Sequence, residues 1–367
     1  MIPLNDFKAE PEELLQAQLK AVERVLRSGW YILGNELKAF EGQWALRCGT
    51  AHSVGVGNGM DALELGLRAM GIGPDDEIIT TPMTAFATVL AIFRAGALPV
   101  LADIDPETAL LSPESARRCI TPRTKGILLV HLYGQIRDMD AWETLCLTHG
   151  IALLEDCAQS HLAAWKGKTA GNFGAWGAYS FYPTKNLGAM GDGGALNTND
   201  SALAERVRVL RNYGQSKRYY HPEMGMNSRL DEIQAAILSC RLTHLDGFTE
   251  SRRRIAQAYF AGIHNPRVRL LARPVETENH VYHLFVVTTP ERDALSEHLK
   301  AQGVDSLIHY PVPVHRQETC HGIRVDPQGL PNAEAHASTC LSVPCHPQMN
   351  EVQIAQVIAA INSFKQA

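Results

Sequence analysis

Lys185 is the residue with the clearest chemical potential, because it lies in SFYPTKNLGAMGDGGA (180–195), between an apolar strand pattern and a glycine-rich loop. Lysine is rarely buried without a partner. When its positive charge is suppressed, its amine can attack a carbonyl compound and form an imine. The segment taken alone fits an ordinary surface loop lysine equally well.

A carboxylate and a glycine turn could act together with this lysine. Asp156 follows an apolar strand pattern in LLEDCAQS (153–160), where a carboxylate is costly unless something pairs with it. In VGVGNGMDALELGL (54–67), a strand pattern passes through Gly59 and Met60 into an amphipathic helix. The N–H groups at the start of such a helix suit a phosphate. Purely structural alternatives exist for both features. The carboxylate could cap a helix or form a core ion pair, and the glycines could simply form a tight strand-to-helix turn.

The three features together match the chemical groups of pyridoxal phosphate, which carries a phosphate, a ring nitrogen and an aldehyde. Gly59 and Met60 would hold the phosphate, and Ser180 could add a hydroxyl to it. Asp156 would face the ring nitrogen, and Lys185 would react with the aldehyde. The sequence therefore predicts this cofactor.

The segments that must position these residues alternate between strand and helix patterns from about residue 50 to 212. Strand patterns cover 51–57, 76–82, 98–105, 124–134, 150–158, 175–183 and 193–199. Helical patterns cover 60–70, 84–95, 113–119, 138–149 and 201–212. This alternation predicts an α/β fold with a mostly parallel, seven-stranded sheet covered on both faces. Ligands then bind beyond the carboxyl ends of the strands.

The composition changes after a long helical pattern, NSRLDEIQAAILSCRLTHL (227–245), which we expect to continue through residue 261. With 367 residues, the chain is long enough for two domains. We predict a large cofactor-binding domain at 1–245, including the N-terminal segment, and a smaller C-terminal α+β domain at 246–367.

Charge and cysteine usage exclude several function classes. The net charge of -5 and the lack of a long basic run argue against a nucleic-acid partner. The sequence contains no apolar run long enough for a membrane helix, and the acidic N-terminus lacks the apolar core of a secretory signal. Eight cysteines without a C-x-x-C pair predict reduced thiols in a cytoplasmic protein. The cysteines and histidines near the C-terminus match no compact zinc motif, so we expect no metal.

Ordered motifs along nearly the whole chain resemble the DegT/DnrJ/EryC1/StrS family of PLP-dependent sugar aminotransferases. They are SGWYILG (28–34), GVGNGMDAL (55–63), ADIDPET (102–108), VHLYGQIRDM (130–139), EDCAQSH (155–161), SFYPTKNLGAMGDGGA (180–195), LRNYG (210–214), NSRLDEIQAAIL (227–238), HYPVPVH (309–315) and LSVPCHPQM (341–349). The resemblance implies a fold-type I aminotransferase that forms a homodimer with two active sites at the interface.

The resemblance also implies a role for individual residues. Lys185 would be the lysine that forms the imine with the cofactor, and Asp156 the partner of the pyridine nitrogen. Gln159 would lie against the cofactor ring or its O3′ oxygen. Ser180 would bind the phosphate, and Asn227 would reach the phosphate of the neighbouring subunit.

One position departs from the family pattern. Many relatives carry an aromatic residue directly after the threonine that matches Thr84, and it stacks on the cofactor. Here Ala85 occupies that position and Phe86 follows. Either Phe86 stacks on the cofactor, or that face is open for another contact.

The implied substrate pocket lies in two segments of the second half of the chain and next to the lysine. Its candidate residues are Tyr182, Tyr219, His221, His309, Tyr310 and His315. A plain surface loop explains the residues around 219–221 nearly as well.

The resemblance implies that an amino acid, L-glutamate, donates nitrogen to a keto group of a nucleotide-linked deoxysugar. Such sugars supply lipopolysaccharide or other glycans. The GVGNGMDAL and YYHPEMGMNSRLDE segments are more similar to members that act on 3-keto-6-deoxy sugars of dTDP. A 4-keto substrate is the alternative. A sugar dehydratase is disfavoured because those relatives replace the lysine by histidine, and a non-catalytic regulator because no basic helix-turn-helix segment precedes residue 50.

Overall fold

The computed structural model of the protein describes residues 1–365. The helices are α1 (Glu12–Ser28), α2 (Asn35–Cys48), α3 (Gly59–Ala69), α4 (Phe86–Arg94), α5 (Pro113–Cys119), α6 (Met139–His149), α7 (Ser201–Leu210), α8 (Glu232–Leu242), α9 (Leu245–Gly262), α10 (Arg292–Ala301), α11 (Pro331–Thr339) and α12 (Glu351–Ser363). The strands are β1 (His52–Val56), β2 (Glu77–Thr80), β3 (Leu98–Leu101), β4 (Thr124–Val130), β5 (Ala152–Asp156), β6 (Ala164–Trp165), β7 (Lys168–Thr169), β8 (Gly177–Ser180), β9 (Gly194–Thr198), β10 (Arg269–Leu270), β11 (Phe285–Thr288), β12 (Arg324–Val325) and β13 (Cys340–Val343).

The main sheet has the strand order β1-β9-β8-β5-β4-β2-β3-β12 within the described residues. Only β9 runs antiparallel to its neighbours, so the predicted α/β fold with a mostly parallel sheet is confirmed. The predicted number of seven strands was one too small. The additional strand, β12, comes from the C-terminal part of the chain and pairs with the edge strand β3. An ion pair of 2.7 Å between Arg324 and Glu77 supports it there.

Helices cover both faces of this sheet, which explains why its central strands are apolar throughout. Leu128 and Leu154 pack with residues of α3, α4 and α7 on one face. Their neighbours Ile127, Leu129 and Leu153 pack with α2, α5, α6 and α8 on the other face. Successive strand residues point to opposite faces, so both must be hydrophobic when neither face meets water.

The long helical pattern begins later than we predicted. Residues 227–231 are extended: Asn227 forms an isolated bridge with Asn212, and Asp231 forms one with Ile32. Helix α8 starts at Glu232, whose N–H donates to the carbonyl of Tyr31 at 3.0 Å. Pairing with other segments thus overrides the helical periodicity at these five positions.

A three-stranded antiparallel sheet, β10-β11-β13, forms a second layer near the C-terminus. It packs with α9, α10 and α12, and Ile2 from the N-terminal segment joins the same apolar cluster. The domain boundary at 245/246 stays a prediction, although α9 begins at Leu245. Within residues 1–365, none of the helices is both long and apolar enough to cross a membrane.

Candidate active site

The start of α3 forms a tight contact with the end of β8. Asn58 caps the helix, with its Oδ1 accepting from the N–H of Asp61 at 2.9 Å. A Cβ added at Gly59 would lie 2.6 Å from the Cβ of Ser180, so only glycine allows this approach. Met60, the second residue of α3, is partly exposed. Because the first N–H groups of a helix lack intrahelical partners, they and the Ser180 hydroxyl together make a place for an anion.

Asp156 ends β5 at the same edge of the sheet and is buried. Its Oδ2 accepts a hydrogen bond from the Thr88 hydroxyl at 2.8 Å, and its Oδ1 accepts one from the N–H of Ala158 at 3.1 Å. Burial raises the pKa of the Asp156 carboxyl, and these two hydrogen bonds together with the charge of Lys185 act against that rise. Among residues 1–365, Asp156 forms no ion pair within 4 Å.

Thr88 is a site residue that our sequence analysis missed. Its hydroxyl is within 2.7 Å of the Thr84 hydroxyl and donates to Asp156, so two buried threonines one helical turn apart support the carboxylate. Their i, i+4 spacing places both on one side of the chain entering α4. The spacing of the two threonines was the available signal in the sequence, but it indicates a role only once the fold places them next to Asp156.

Lys185 lies in the loop after β8, where its N–H donates to the carbonyl of Tyr182 at 2.8 Å. Burial lowers the pKa of its amine to about 8, opposed by the negative charge of Asp156. A larger share of the amine is therefore uncharged near neutral pH than in free lysine. A Cβ at Gly188 would collide with the backbone of Pro183, which explains the glycine directly after this lysine segment.

Two buried histidines and the half-buried His309 are close enough to Lys185 for its positive charge to affect their ionisation. Burial lowers the pKa of His161 to about 3 and that of His309 to about 4, and the Lys185 charge adds to both shifts. The pKa of His283 is lowered as well, again by burial and by the charge of Lys185. The charge of Lys185 thus disfavours protonation of these three imidazoles, and the Asp156 carboxylate is the charge that raises the pKa of the lysine amine.

Gln159 is fixed from both ends of its amide group. Its Oε1 accepts from the N–H of Tyr133 at 2.6 Å, and its Nε2 donates to the Tyr310 hydroxyl at 3.1 Å. The Tyr133 hydroxyl in turn donates to the carbonyl of His309 at 2.6 Å. The structure therefore brings the 309–310 segment, which is distant in sequence, next to Gln159 just after β5.

Tyr310 is close enough to Asp156 for its ionisation to be affected. Burial raises the pKa of Tyr310 to about 12, and the Asp156 charge adds to the rise. The His309 side chain turns to Ser342, with 2.8 Å between Nδ1 and Oγ. Tyr310 is thus a predicted substrate residue that contacts Gln159 and lies close enough to Asp156 to feel its charge.

Among the described residues, the side chains of the other predicted substrate residues form no hydrogen bond with Asp156, Gln159 or Lys185. Tyr182 is 53% exposed and Tyr219 is 77% exposed. His221 is exposed and its Nδ1 lies 2.9 Å from the carbonyl of Tyr213. His315 pairs with Glu334 at 2.9 Å, so its ring is held by α11 instead.

Two further predicted cofactor residues have different surroundings. Phe86 begins α4 and packs against the apolar cluster that contains Met83 and Tyr133, so part of its ring is used in the core. Ala85 precedes it at the N-cap position. Asn227 is exposed on the extended segment before α8. Stacking by Phe86 and a role of Asn227 toward a second subunit both stay predictions.

The residues present fit pyridoxal phosphate. A buried carboxylate without a cationic partner in the described residues suits a protonated ring nitrogen. The cradle of Gly59 and Ser180 suits the phosphate, since a side chain at position 59 would fill it. Lys185, with its lowered pKa, suits the aldehyde. These groups all lie at the carboxyl edge of the sheet, where ligands bind in this class of fold.

Comparisons with known proteins agree with this interpretation. The sequence model of the DegT/DnrJ/EryC1/StrS aminotransferase family matches residues 12–362. A dTDP-3-amino-3,4,6-trideoxy-alpha-D-glucose transaminase of Streptomyces venezuelae is 46% identical over 365 residues, covering 99% of this chain and 96% of the relative. A dTDP-3-amino-3,6-dideoxy-alpha-D-galactopyranose transaminase of Aneurinibacillus thermoaerophilus is 44% identical over 366 residues, with 99% of each chain covered. The crystal structure of S. venezuelae DesV superposes with a TM-score of 0.94 at 45% identity, covering 98% of this chain and 97% of that one.

Proposed function

This chain belongs to the DegT/DnrJ/EryC1/StrS aminotransferase family, and from that membership and the site geometry we propose that it transfers the amino group of L-glutamate to a nucleotide-linked keto sugar. The preferred substrate is a dTDP-3-keto-6-deoxyhexose. The observation that carries the proposal is that the buried Asp156 and Lys185, whose amine pKa is lowered, both lie at the carboxyl edge of the sheet.

Pyridoxal phosphate, when bound, supplies an electron sink for the carbon that gains or loses a proton. The work of the chain is then divided between a few side chains. The negative charge of Asp156 would keep the ring nitrogen protonated, and Thr88 would keep Asp156 ionised and oriented. The amine of Lys185 would accept a proton from the substrate carbon and return it, which its pKa of about 8 favours near neutral pH.

Gln159 would lie against the ring or its O3′ oxygen, and hydrogen bonds to Tyr133 and Tyr310 would keep its amide in that position. The helix start at Gly59 and Met60, with Ser180, would bind the phosphate. Tyr310 and His309 are our candidates for closing the sugar side of the site.

Amination at C3 is supported by two relatives that cover nearly all of this chain, since both are named as transaminases of dTDP-3-amino sugars. Their sugars differ in deoxygenation and stereochemistry, so the hexose itself is open. Lys185 argues against the dehydratase alternative, as it did from sequence. A 4-keto substrate is the remaining alternative within the family.

We further propose a homodimer in which each active site takes residues from both subunits. Trp30, Tyr31, Ile32 and Leu33 form a run of exposed large apolar side chains directly after α1, and such patches are typical of interfaces. Asn227 is exposed on its extended segment. A second subunit seated on this region would cover the apolar run and place Asn227 beside the phosphate of its neighbour.

The test uses the purified protein with added pyridoxal phosphate and runs the reaction in both directions. L-Glutamate is offered with 3-keto and 4-keto nucleotide sugars, and 2-oxoglutarate with the matching amino sugars. We expect dTDP-3-keto substrates to give an amino sugar by mass spectrometry, and Lys185→Ala to give none. Turnover only with 4-keto sugars would contradict the C3 assignment. Absence of any amino transfer, despite bound cofactor, would contradict the proposed function as a whole.

A further inference from the structure

A cavity of about 230 Å³ lies between α9 and the segment that follows β10. One face of α9, within residues 253–261, forms one wall, and residues 273–277 form another. Tyr282 completes the lining. Neither Lys185 nor Asp156 lines this cavity, so it is separate from the candidate active site.

Two arginines line this cavity, and neither has a carboxylate within 4 Å among residues 1–365. Arg253 donates through Nε to the carbonyl of His280 at 3.1 Å. Arg273 donates through Nη2 to the carbonyl of Phe260, also at 3.1 Å. Within the described residues, the other N–H groups of both guanidinium groups form no hydrogen bond. Both positive charges are therefore without a neutralising partner in the chain.

The contacts of the two guanidinium groups place them beside the aromatic part of the cavity wall. The Cζ of Arg273 lies 4.7 Å from the ring centroid of Phe260, which lines the cavity. The carbonyl that holds Arg253 belongs to His280, whose ring stacks on that of Tyr282 with 3.8 Å between the centroids. Burial raises the pKa of the Tyr282 hydroxyl, and the charges of both arginines oppose that rise. Both guanidinium groups therefore lie close to one hydroxyl.

A third arginine holds the segment that forms the second wall. Arg137 donates through Nη2 to the carbonyls of residues 272 and 273, at 2.9 and 2.5 Å, and its Nε is buried without a hydrogen-bond partner. Its charge also opposes the rise in the pKa of Tyr282. Three positive charges thus lie near the same hydroxyl, and their mutual repulsion favours an anion at this place.

The carboxylates of this region do not neutralise these charges at close range. Glu276 is the acidic residue that lines the cavity, and its side chain accepts the N–H of Asn279 in a capping box. Burial lowers the pKa of Arg253, and three carboxylates more than 4 Å away oppose that shift: those of Glu250, Glu278 and Asp246. The cavity wall itself carries two guanidinium groups and one carboxylate, so its charge is positive.

We propose that this cavity binds a small tetrahedral oxyanion of the phosphate class. The oxygens of the anion accept from the unpaired N–H groups of Arg253 and Arg273. Arginine suits such a ligand because its planar fork of N–H groups matches the oxygens of a phosphate and keeps its charge at any physiological pH. This site is additional to the phosphate cradle of Gly59 and Ser180, and it does not depend on the proposed function.

The test is a calorimetric titration of inorganic phosphate into the protein loaded with pyridoxal phosphate, with sodium chloride at equal ionic strength as the reference. An ion of this size that fits should bind with a Kd on the order of 1 mM. Arg253→Gln and Arg273→Gln each remove one charge, and each should weaken binding about tenfold. The double variant should lose binding altogether. Because Arg273 is exposed, Arg273→Gln should fold normally, as circular dichroism can check.

Arg254→Gln is the matched control. Arg254 follows Arg253 on α9 and pairs with Glu351, but it does not line the cavity. The substitution removes the same charge from the same helix, and we expect it to leave phosphate binding unchanged. The proposal is overturned if phosphate fails to bind at millimolar concentration, or if Arg254→Gln weakens binding as much as Arg253→Gln does. It is also overturned if the double variant keeps the original affinity, since the anion would then bind elsewhere, for example at the candidate active site.

Discussion

Replacing Thr88 by valine should impair the active site by removing a hydrogen bond to Asp156. Valine has nearly the same shape as threonine, so the substitution changes the packing little. It removes the 2.8 Å hydrogen bond to Oδ2 of Asp156 and the 2.7 Å hydrogen bond with the Thr84 hydroxyl. A hydrogen bond to a charged group contributes about 1.5–3 kcal/mol, and one pKa unit corresponds to about 1.4 kcal/mol. The pKa of Asp156, already raised by burial, should therefore rise by about one to two further units.

The rise in the pKa of Asp156 should shift the pH dependence of the reaction in one direction. Asp156 acts as a carboxylate, so activity is lost as the pH falls through its pKa. A higher pKa in Thr88→Val moves that acidic limb of the kcat/KM profile to higher pH by about one to two units, while the alkaline limb stays in place. The assay is initial rates of amino transfer from L-glutamate between pH 5 and 9, with saturating pyridoxal phosphate.

Thr80→Val is the matched control. Thr80 is also fully buried, and its hydroxyl donates to the carbonyl of Leu128 at 2.8 Å instead of to a site residue. Both variants should lose similar stability, about 1 kcal/mol, in urea unfolding. Only Thr88→Val should shift the pH profile. An unmoved acidic limb in Thr88→Val, or an equal shift in Thr80→Val, would refute the assigned role of Thr88.

The remaining predictions concern the lysine, the carboxylate, the subunit interface and acid stability. Lys185→Ala should abolish turnover and keep the fold, and normal turnover measured with L-glutamate would contradict its role. Asp156→Asn should cost about 2–4 kcal/mol of transition-state stabilisation, and a loss of activity below about tenfold would exclude it as the ring partner. Asn227→Asp should weaken cofactor binding, because the new carboxylate repels the phosphate. Mixing Asn227→Asp chains with Lys185→Ala chains should restore activity in mixed dimers, up to about one intact site per dimer. Mixed dimers that are detected by mass spectrometry but show no activity would exclude a role of Asn227 across the interface. Burial lowers the pKa of His161 and His280 to about 3 from 6.5. Between these pH values the unfolded chain therefore binds protons that the folded chain does not. The free energy of unfolding should fall as the pH drops from about 6.5 towards 3, by about 1.4 kcal/mol per pH unit for each histidine. His161→Gln should reduce that slope by one histidine's share in denaturant titrations at several pH values, and an unchanged slope would contradict the assignment.

The sequence by itself determined most strands of the main sheet, and it supplied the candidate residues for the central chemistry. Strands of the main sheet read as apolar runs because helices bury both faces, and the glycines at 59 and 188 mark close backbone contacts that no side chain permits. Lys185 and Asp156 could be proposed because an amine, a carboxylate and a glycine turn after apolar strands together match the groups of pyridoxal phosphate, and because the surrounding motifs resemble the family. These features depend on neighbouring residues in the sequence, so they can be recognised without knowledge of the fold.

Only the tertiary structure decided which distant residues reach these groups. Tyr310 meets Gln159 across 151 positions, and Thr88 meets Asp156 across 68. The same folding turned His315 to Glu334 and delayed the start of α8 to Glu232. Contacts of this kind depend on how the layers pack and on the free energy of burying each polar group. The periodicity of the sequence does not predict such contacts, because the residues that form them are far apart in the chain and meet only after folding.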